Sequence, residues 1–352
     1  MISDPQSLAP CRIALIKPSA LGDIVHSLPV LSALRQRWPN AQITWVVNRS
    51  YASLLNGHPD LDAILPVDRA AFRDGPITGA TTMIRLARRL HDGHFDLVID
   101  LQGLLRTGLM CLATGAARRI GFANAREGAP WCYTDRISVP DADQIHAVDR
   151  YWRVVEAIGA GDCPKKFFVP IPDMARSQVS SWLAAWPRPW VVLGVGARWV
   201  TKRWPPHNFA ALARRALDRF GGSVIFIGGS EDATAVQSVK LHKPALDLCG
   251  KTSLPQLAAV LERADVVLAN DTGPLHLAAA LGRPTIAPYT CTLVTRHGPY
   301  GQAHRTASAM VPCHGSYRKT CDHMSCLPTL PPERLFGLLD EVMSGWVTRK
   351  RA

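Results

Sequence analysis

Long apolar runs are missing from this 352-residue chain. The longest are strand-sized, such as 189–197 (PWVVLGVGA) and 265–269 (DVVLA). A spanning helix needs roughly 20 consecutive apolar residues, so none is expected. The opening MISDPQSLAP also lacks the basic stretch and apolar run of an export signal. Both absences lead to the expectation of a cytoplasmic protein, touching a membrane at most from its surface. Nine cysteines are present, but no two stand in a C-x-x-C pair. That spacing excludes a zinc ribbon or finger, and a reducing compartment disfavours a disulfide framework. Two nucleotide fingerprints are absent as well. The loop after the first apolar run is neither G-x-G-x-x-G nor a Walker A sequence, which argues against a dehydrogenase or a P-loop NTPase. Acidic residues are scarce, 28 against 40 Lys and Arg, for a formal charge of +12. Such a balance suits an anionic partner, whether nucleic acid, phosphorylated substrate or acidic membrane. The ten tryptophans are scattered rather than interleaved with basic clusters, which disfavours nucleic acid.

What is present is 47% hydrophobic and 19% charged, the composition of a folded protein, and long enough for two domains. Short apolar runs alternate with amphipathic stretches, the pattern of parallel βαβ units. Strands are predicted at 12–17, 43–47, 63–67 and 95–101, with helices from about Asp23 to Trp38, at 79–91 and at 146–159. The stretch 117–150 reads as irregular and Arg-rich, and 161–187 as a proline-bearing linker. A second unit follows, with strands at 190–195, 223–228, 246–249, 265–270 and 284–287. Its helices fall at 207–220, 231–239, 254–263 and 273–281. A last helix, 332–346, has room to pack back on the first domain. The expected fold is two Rossmann-like, doubly wound α/β domains, in which ligands bind beyond the carboxyl ends of the strands.

Four loops at those ends carry candidate chemistry. In Lys17-Pro18-Ser19-Ala20-Leu21-Gly22-Asp23, Gly22 permits a tight turn. Asp23 reads either as a general base or as a helix cap, with His26 on the same face. Gly194-Val195-Gly196-Ala197-Arg198, followed by Thr201-Lys202-Arg203-Trp204-Pro205, places three cations within six residues, suited to phosphate. Gly228-Gly229-Ser230-Glu231-Asp232 offers carboxylates to ribose hydroxyls, or an ordinary helix start. In Asn270-Asp271-Thr272-Gly273-Pro274-Leu275-His276, a buried strand opens directly into an Ala-rich helix. Its first amides can hold a pyrophosphate, with Asp271 and His276 beside it. Capping by Asp271 or Thr272 is the simpler reading, but it leaves the glycine and the histidine unexplained.

These pieces, with Leu101-Gln102-Gly103-Leu104, resemble the family-nine glycosyltransferases, the bacterial heptosyltransferases of lipopolysaccharide inner-core synthesis. The resemblance runs in order over nearly the whole chain. It implies a GT-B fold with an interdomain cleft: an acceptor-binding domain over 1–175, a donor-binding domain over 176–331 and a C-terminal helix over 332–352. It further implies an inverting reaction without metal or cofactor. ADP-heptose is then the donor substrate, and Kdo-lipid A, or its heptosylated form, the acceptor. By position Asp23 resembles the catalytic base. Lys202, Arg198, Glu231, Asp271, Thr272, Gly273 and His276 resemble donor contacts, Glu231 to ribose and Asp271 to heptose hydroxyls. Ser19, Gly22, Arg85, Arg106 and Arg126 fall on the acceptor side, where an anionic, lipid-linked saccharide at the inner face of the membrane is implied. The start of the chain looks closer to the first heptosyltransferase branch. The segment holding Cys313, Cys321 and Cys326 looks closer to the second, which leaves first or second heptose open. Another nucleotide sugar is a further alternative. A non-catalytic nucleotide-sugar binder would be expected to lack Asp23 or Lys202, and both are present.

Overall fold

The computed structural model describes residues 8–68, 76–239, 241, 243–301 and 304–351. The first seven residues, on which part of the export-signal reading rests, lie outside the described residues. The chain divides into two compact units, 1–170 and 171–352.

The first unit alternates β1 (Arg12–Ile16), α1 (Leu21–Arg37), β2 (Gln42–Asn48), α2 (Arg49–Ala52), β3 (Ala63–Val67), α3 (Pro76–His91), β4 (Leu97–Asp100), α4 (Leu105–Ala113), β5 (Arg118–Phe122), β6 (Asp135–Ile137) and α5 (Ala147–Ala157). Its sheet runs β3-β2-β1-β4-β5-β6, all parallel. Ile13, Ala14, Leu15 and Ile16 are all buried. A strand covered on both faces reads as such a continuous apolar run instead of alternating. Strand order reverses between β1 and β4, so the loops leaving these two strands flank a crevice at the carboxyl edge.

The second unit opens with α6 (Asp173–Leu183) and continues β7 (Trp190–Gly194), α7 (Pro206–Phe220), β8 (Ser223–Ile227), α8 (Ala233–Gln237), β9 (Leu246–Asp247), α9 (Leu254–Arg263), β10 (Val266–Ala269), α10 (Gly273–Ala280), β11 (Thr285–Tyr289), α11 (Val294–His297), β12 (Arg305–Ser308) and α12 (Pro332–Arg351). The sheet order, β12-β11-β10-β7-β8-β9, repeats the first topology. Here the switch point lies between β7 and β10, and the loops leaving them carry the Lys202 and Asn270 segments.

Two expectations are corrected, and the last helix is assigned to a core. The supposed linker contains α6. Its Ala175, Val179 and Leu183, four residues apart, are buried on the side packed against α9, and Arg176 clamps Glu262 through Nε and Nη2 at 3.0 and 2.9 Å. The prolines flank the helix, with Pro172 just before it and Pro187 after it. The supposed irregular stretch contains β5 and β6. The charges of Arg118 and Arg119 disguise β5, and they are absorbed by Asp135 and by the Ala116 and Cys132 carbonyls. The last helix is part of the second unit over its described side chains. Leu335, Leu339 and Met343, at helical spacing, close the core formed by β7, β8, β10 and α7. Leu339→Ala should therefore cost about 2–5 kcal/mol. Urea unfolding should assign that loss to the transition of the second unit.

Candidate active site

In the first unit the loop after β1 ends in helix α1, with Ala20 at its N-cap and Asp23 three residues on. Asp23 is thus not the N-cap residue but caps the turn from the third position. Its Oδ2 reaches back to accept the Ala20 N–H at 3.1 Å, while Oδ1 accepts the Tyr151 hydroxyl at 2.9 Å. Tyr151 stands on α5, which packs along α1. Its oxygen accepts in turn from the Lys17 ammonium at 2.8 Å. Lys17 is buried at the end of β1, donates also to the Leu101 carbonyl at 3.0 Å, and lies 3.8 Å from Asp23 Oδ1. A buried cation thereby holds a hydroxyl that holds a carboxylate. That charge-assisted chain fixes the Asp23 rotamer. The carboxylate stays 36% exposed, accessible to a substrate hydroxyl.

Sequence reading missed Tyr151 entirely and gave Lys17 no role. The available signal was a lysine ending an otherwise apolar strand, since a buried ammonium requires partners. His26 sits edge-on to His146, with ring centroids 5.0 Å apart, and is buried.

The loop after β4 is shaped by Asp100. This carboxylate is fully buried and accepts from the Gln102 and Gly103 N–H groups and from Tyr133. Burial pushes its pKa up, against those hydrogen bonds. Gly103 sits at φ 68°, which favours glycine, and its carbonyl accepts the Arg126 N–H. Arg106 and Arg126 are exposed around this loop, and Arg85 is exposed on α3.

In the second unit Lys202, Asp271 and His276, which the sequence gave separate duties, meet. Lys202 Nζ lies 2.5 Å from Asp271 Oδ2, and His276 Nε2 lies 3.3 Å from Oδ1. Thr292 donates to Oδ2 at 2.6 Å. Asp271 is buried rather than open to solvent. Burial would raise its pKa, but the His276 hydrogen bond and the Lys202 charge outweigh burial and hold it well below the ordinary carboxylate value. Asn270, wholly buried, donates to the Val195 carbonyl at 2.7 Å and accepts the Trp204 N–H at 3.0 Å.

Thr272 is the N-cap of α10, but its side chain caps nothing and donates back to the Asn270 carbonyl. Among the described residues no capping side chain is seen on the first-turn amides of α10, next to a lysine. This is the arrangement of an anion site. Arg198 is exposed after β7, and Glu231 is exposed after β8. Asp232, not Glu231, plays the local capping part, accepting the Gly229 N–H at 3.0 Å. It lies so close to Gly196 that a Cβ there would overlap it.

The cysteine segment has a physical task that its sequence did not reveal. Its Arg318 carbonyl accepts from Thr201 and its Tyr317 N–H donates to Cys291, while the following Leu330 carbonyl accepts from Trp204. It clamps the Lys202 loop on both sides. All nine cysteines are unpaired by disulfides. Among the described residues no three His, Cys, Asp or Glu side chains are arranged to hold a metal.

Two doubly wound parallel units of this topology define the GT-B class of glycosyltransferase. The chain covers 95% of itself and 97% of a solved family-9 glycosyl transferase from Veillonella parvula at a TM-score of 0.84 and 24% identity. It also matches the E. coli heptosyltransferase WaaC with ADP at 0.73 and 24%, covering 94% and 99% of the two chains. In sequence it is 32% identical to lipopolysaccharide heptosyltransferase 1 of Pseudomonas aeruginosa over 94% of this chain and 92% of that one. The family pattern described as glycosyltransferase family 9 (heptosyltransferase) matches residues 83–326. The chain belongs to glycosyltransferase family 9, the heptosyltransferases.

Lys202→Met would strand the Asp271 carboxylate. Because the folded pKa of Asp271 is depressed, the pair contributes its full stability above the unfolded value, about 4, and loses it as pH falls below. The variant should lose about 3–5 kcal/mol at pH 7. That deficit should hold from pH 7 down to about pH 4 and shrink on further acidification in melting curves, and a deficit that persists unchanged at lower pH would contradict a charged pair.

Proposed function

We propose that this enzyme transfers the first heptose of the lipopolysaccharide inner core from ADP-L-glycero-D-manno-heptose to Kdo-lipid A, with inversion and without a metal ion. The observation that carries this reading is the α10 N-terminus, free of a capping side chain, beside Lys202. It offers the amides of Thr272 and Gly273 and an ammonium to a diphosphate. A metal-free transferase needs such a group to hold the negative charge of the departing ADP. The choice of the first heptose is supported by relatives bearing the name lipopolysaccharide heptosyltransferase 1, from P. aeruginosa at 32% identity and Salmonella typhimurium at 28%.

In this reading Asp23 removes the proton of the acceptor hydroxyl as its oxygen bonds to the anomeric carbon, and the bond to ADP breaks in the same displacement. Lys17 and Tyr151 position Asp23. Lys202 and the α10 amides take the phosphates, assisted by Arg198, and Glu231 takes the ribose. Asp271 and His276 orient Lys202 and face the heptose side. Ser19 and Gly22 border the acceptor hydroxyl. Arg85, Arg106 and Arg126 receive Kdo carboxylates and lipid A phosphates. The enzyme works from the cytoplasm, peripherally at the inner membrane. No helix of the described residues is long and apolar enough to cross a membrane.

Calorimetric titration with ADP, GDP and UDP in EDTA tests the donor. Selective ADP binding is expected, and preference for UDP or GDP would sink the heptose donor. Asp23→Asn should lower kcat by about 10²–10⁴-fold while ADP still binds. Tyr151→Phe should lower kcat about 10–100-fold, displace the pH–rate profile, and leave KM for the donor unchanged. An unaltered pH profile would reduce Tyr151 to a packing residue.

A further inference from the structure

Helix α4 is built the wrong way round for a soluble protein. Thr107, Gly108 and Cys111 face inwards, while Leu105, Leu109 and Leu112, at spacings of four and three, form a stripe on the solvent side, each more than two-fifths exposed. Gly108 lets the helix approach the 3-10 turn Ala129–Cys132, where a Cβ would meet Cys132 at 3.0 Å. That turn carries Trp131, 83% exposed, the most exposed large apolar side chain among the described residues. Helix α3, which contacts α4, exposes Met83 and Ile84. One side of the first unit thus shows an apolar surface that its own core does not use, and such surfaces mark interaction sites.

Positive charge predominates around it, with Glu127, which accepts the Leu105 N–H at 3.3 Å, and Asp92 as the acidic residues at its border. No Asp or Glu occurs from 76 to 91 or from 101 to 126. Arg88 and Arg89 on α3 and Arg106 on α4 are exposed, and no ion pair engages them among the described residues. The Arg136 guanidinium lies over the Trp131 ring, 5.4 Å from its centre.

We infer that α3, α4 and the Trp131 turn form a docking face that seats the enzyme on an anionic lipid bilayer. Trp131 and the leucine stripe enter the headgroup–acyl boundary, and the arginines meet lipid phosphates. Apolar side chains and tryptophan bordered by arginine suit that boundary. A second copy of the chain would set like charge against like charge. The inference rests on the proposed lipid-linked acceptor and gives it a geometry. Helix α4 starts at the carboxyl edge of β4, beside the β1 loop that carries Asp23. Seating α4 in the bilayer therefore brings that edge to the surface where such an acceptor lies.

The test is flotation of the full chain with vesicles of phosphatidylcholine alone or of phosphatidylethanolamine with phosphatidylglycerol, at low and high salt. Trp131→Ser and the double variant Leu109→Gln/Leu112→Gln are compared with wild type. The wild type should float with anionic vesicles, less so in high salt, and each variant should partition about tenfold less or weaker still. ADP affinity and transfer to a delipidated Kdo acceptor should not change, whereas transfer to vesicle-embedded acceptor should fall. Wild type that ignores anionic vesicles, or variants that bind them equally, would overturn the inference. So would self-association, seen by sedimentation, that the variants abolish without any vesicle binding. Vesicle binding that depends on these residues in a protein that transfers no heptose would leave the docking face standing and remove the sugar assignment instead.

Discussion

The functional edge of the second unit hangs on one buried amide. Asn270 has no access to solvent, so each of its polar atoms must be met inside the protein. Its Nδ2 holds the carbonyl of Val195, and its Oδ1 holds the backbone of Trp204. The two ends of the basic loop after β7 are thereby fastened to the end of β10. Lys202, between them, has little choice but to meet Asp271. The 313–330 segment then presses on the same loop through Thr201 and Trp204. The proposed phosphate site is thus fastened within the protein itself, so little order has to be gained on binding.

The first unit solves a related problem with opposite means. Its buried cation meets a carboxylate at longer range and shares a hydroxyl with it. Lys17 and Asp23 are 3.8 Å apart, with the Tyr151 oxygen within 2.9 Å of each. The hydroxyl between them fixes the geometry of both groups. The contrast with the tight Lys202–Asp271 pair matches the separate tasks proposed for them, Asp23 as proton acceptor and Lys202 as phosphate contact.

Much of this was legible in the sequence. Apolar runs of four or five residues located most strands, and helical spacing located most helices. Each candidate motif lay just past a strand, where a doubly wound sheet collects its ligands. What escaped detection did so for identifiable reasons. β5 opens on two arginines whose charges are absorbed by distant partners. Helix α6 follows a proline-bearing stretch that reads as a linker. Tyr151 lies 128 residues from Asp23, on a helix whose only local message is amphipathicity. The pairing of Lys202 with Asp271, 69 residues apart, likewise depends on two strands becoming neighbours. Motifs report the chemistry available at one place in the chain, whereas the partners that set its ionisation arrive from elsewhere.

Each unit is an unbroken stretch of chain, and α12 is a wall of the second core. During synthesis, at about 5–20 residues per second, the first unit can close while the second is still being made. The second cannot bury Leu268, Ile286 or Ala307 properly until Leu335, Leu339 and Met343 have left the ribosome. While the second unit is being made, a nascent chain therefore carries one unit able to close and one with an open apolar side, the kind of surface that invites aggregation.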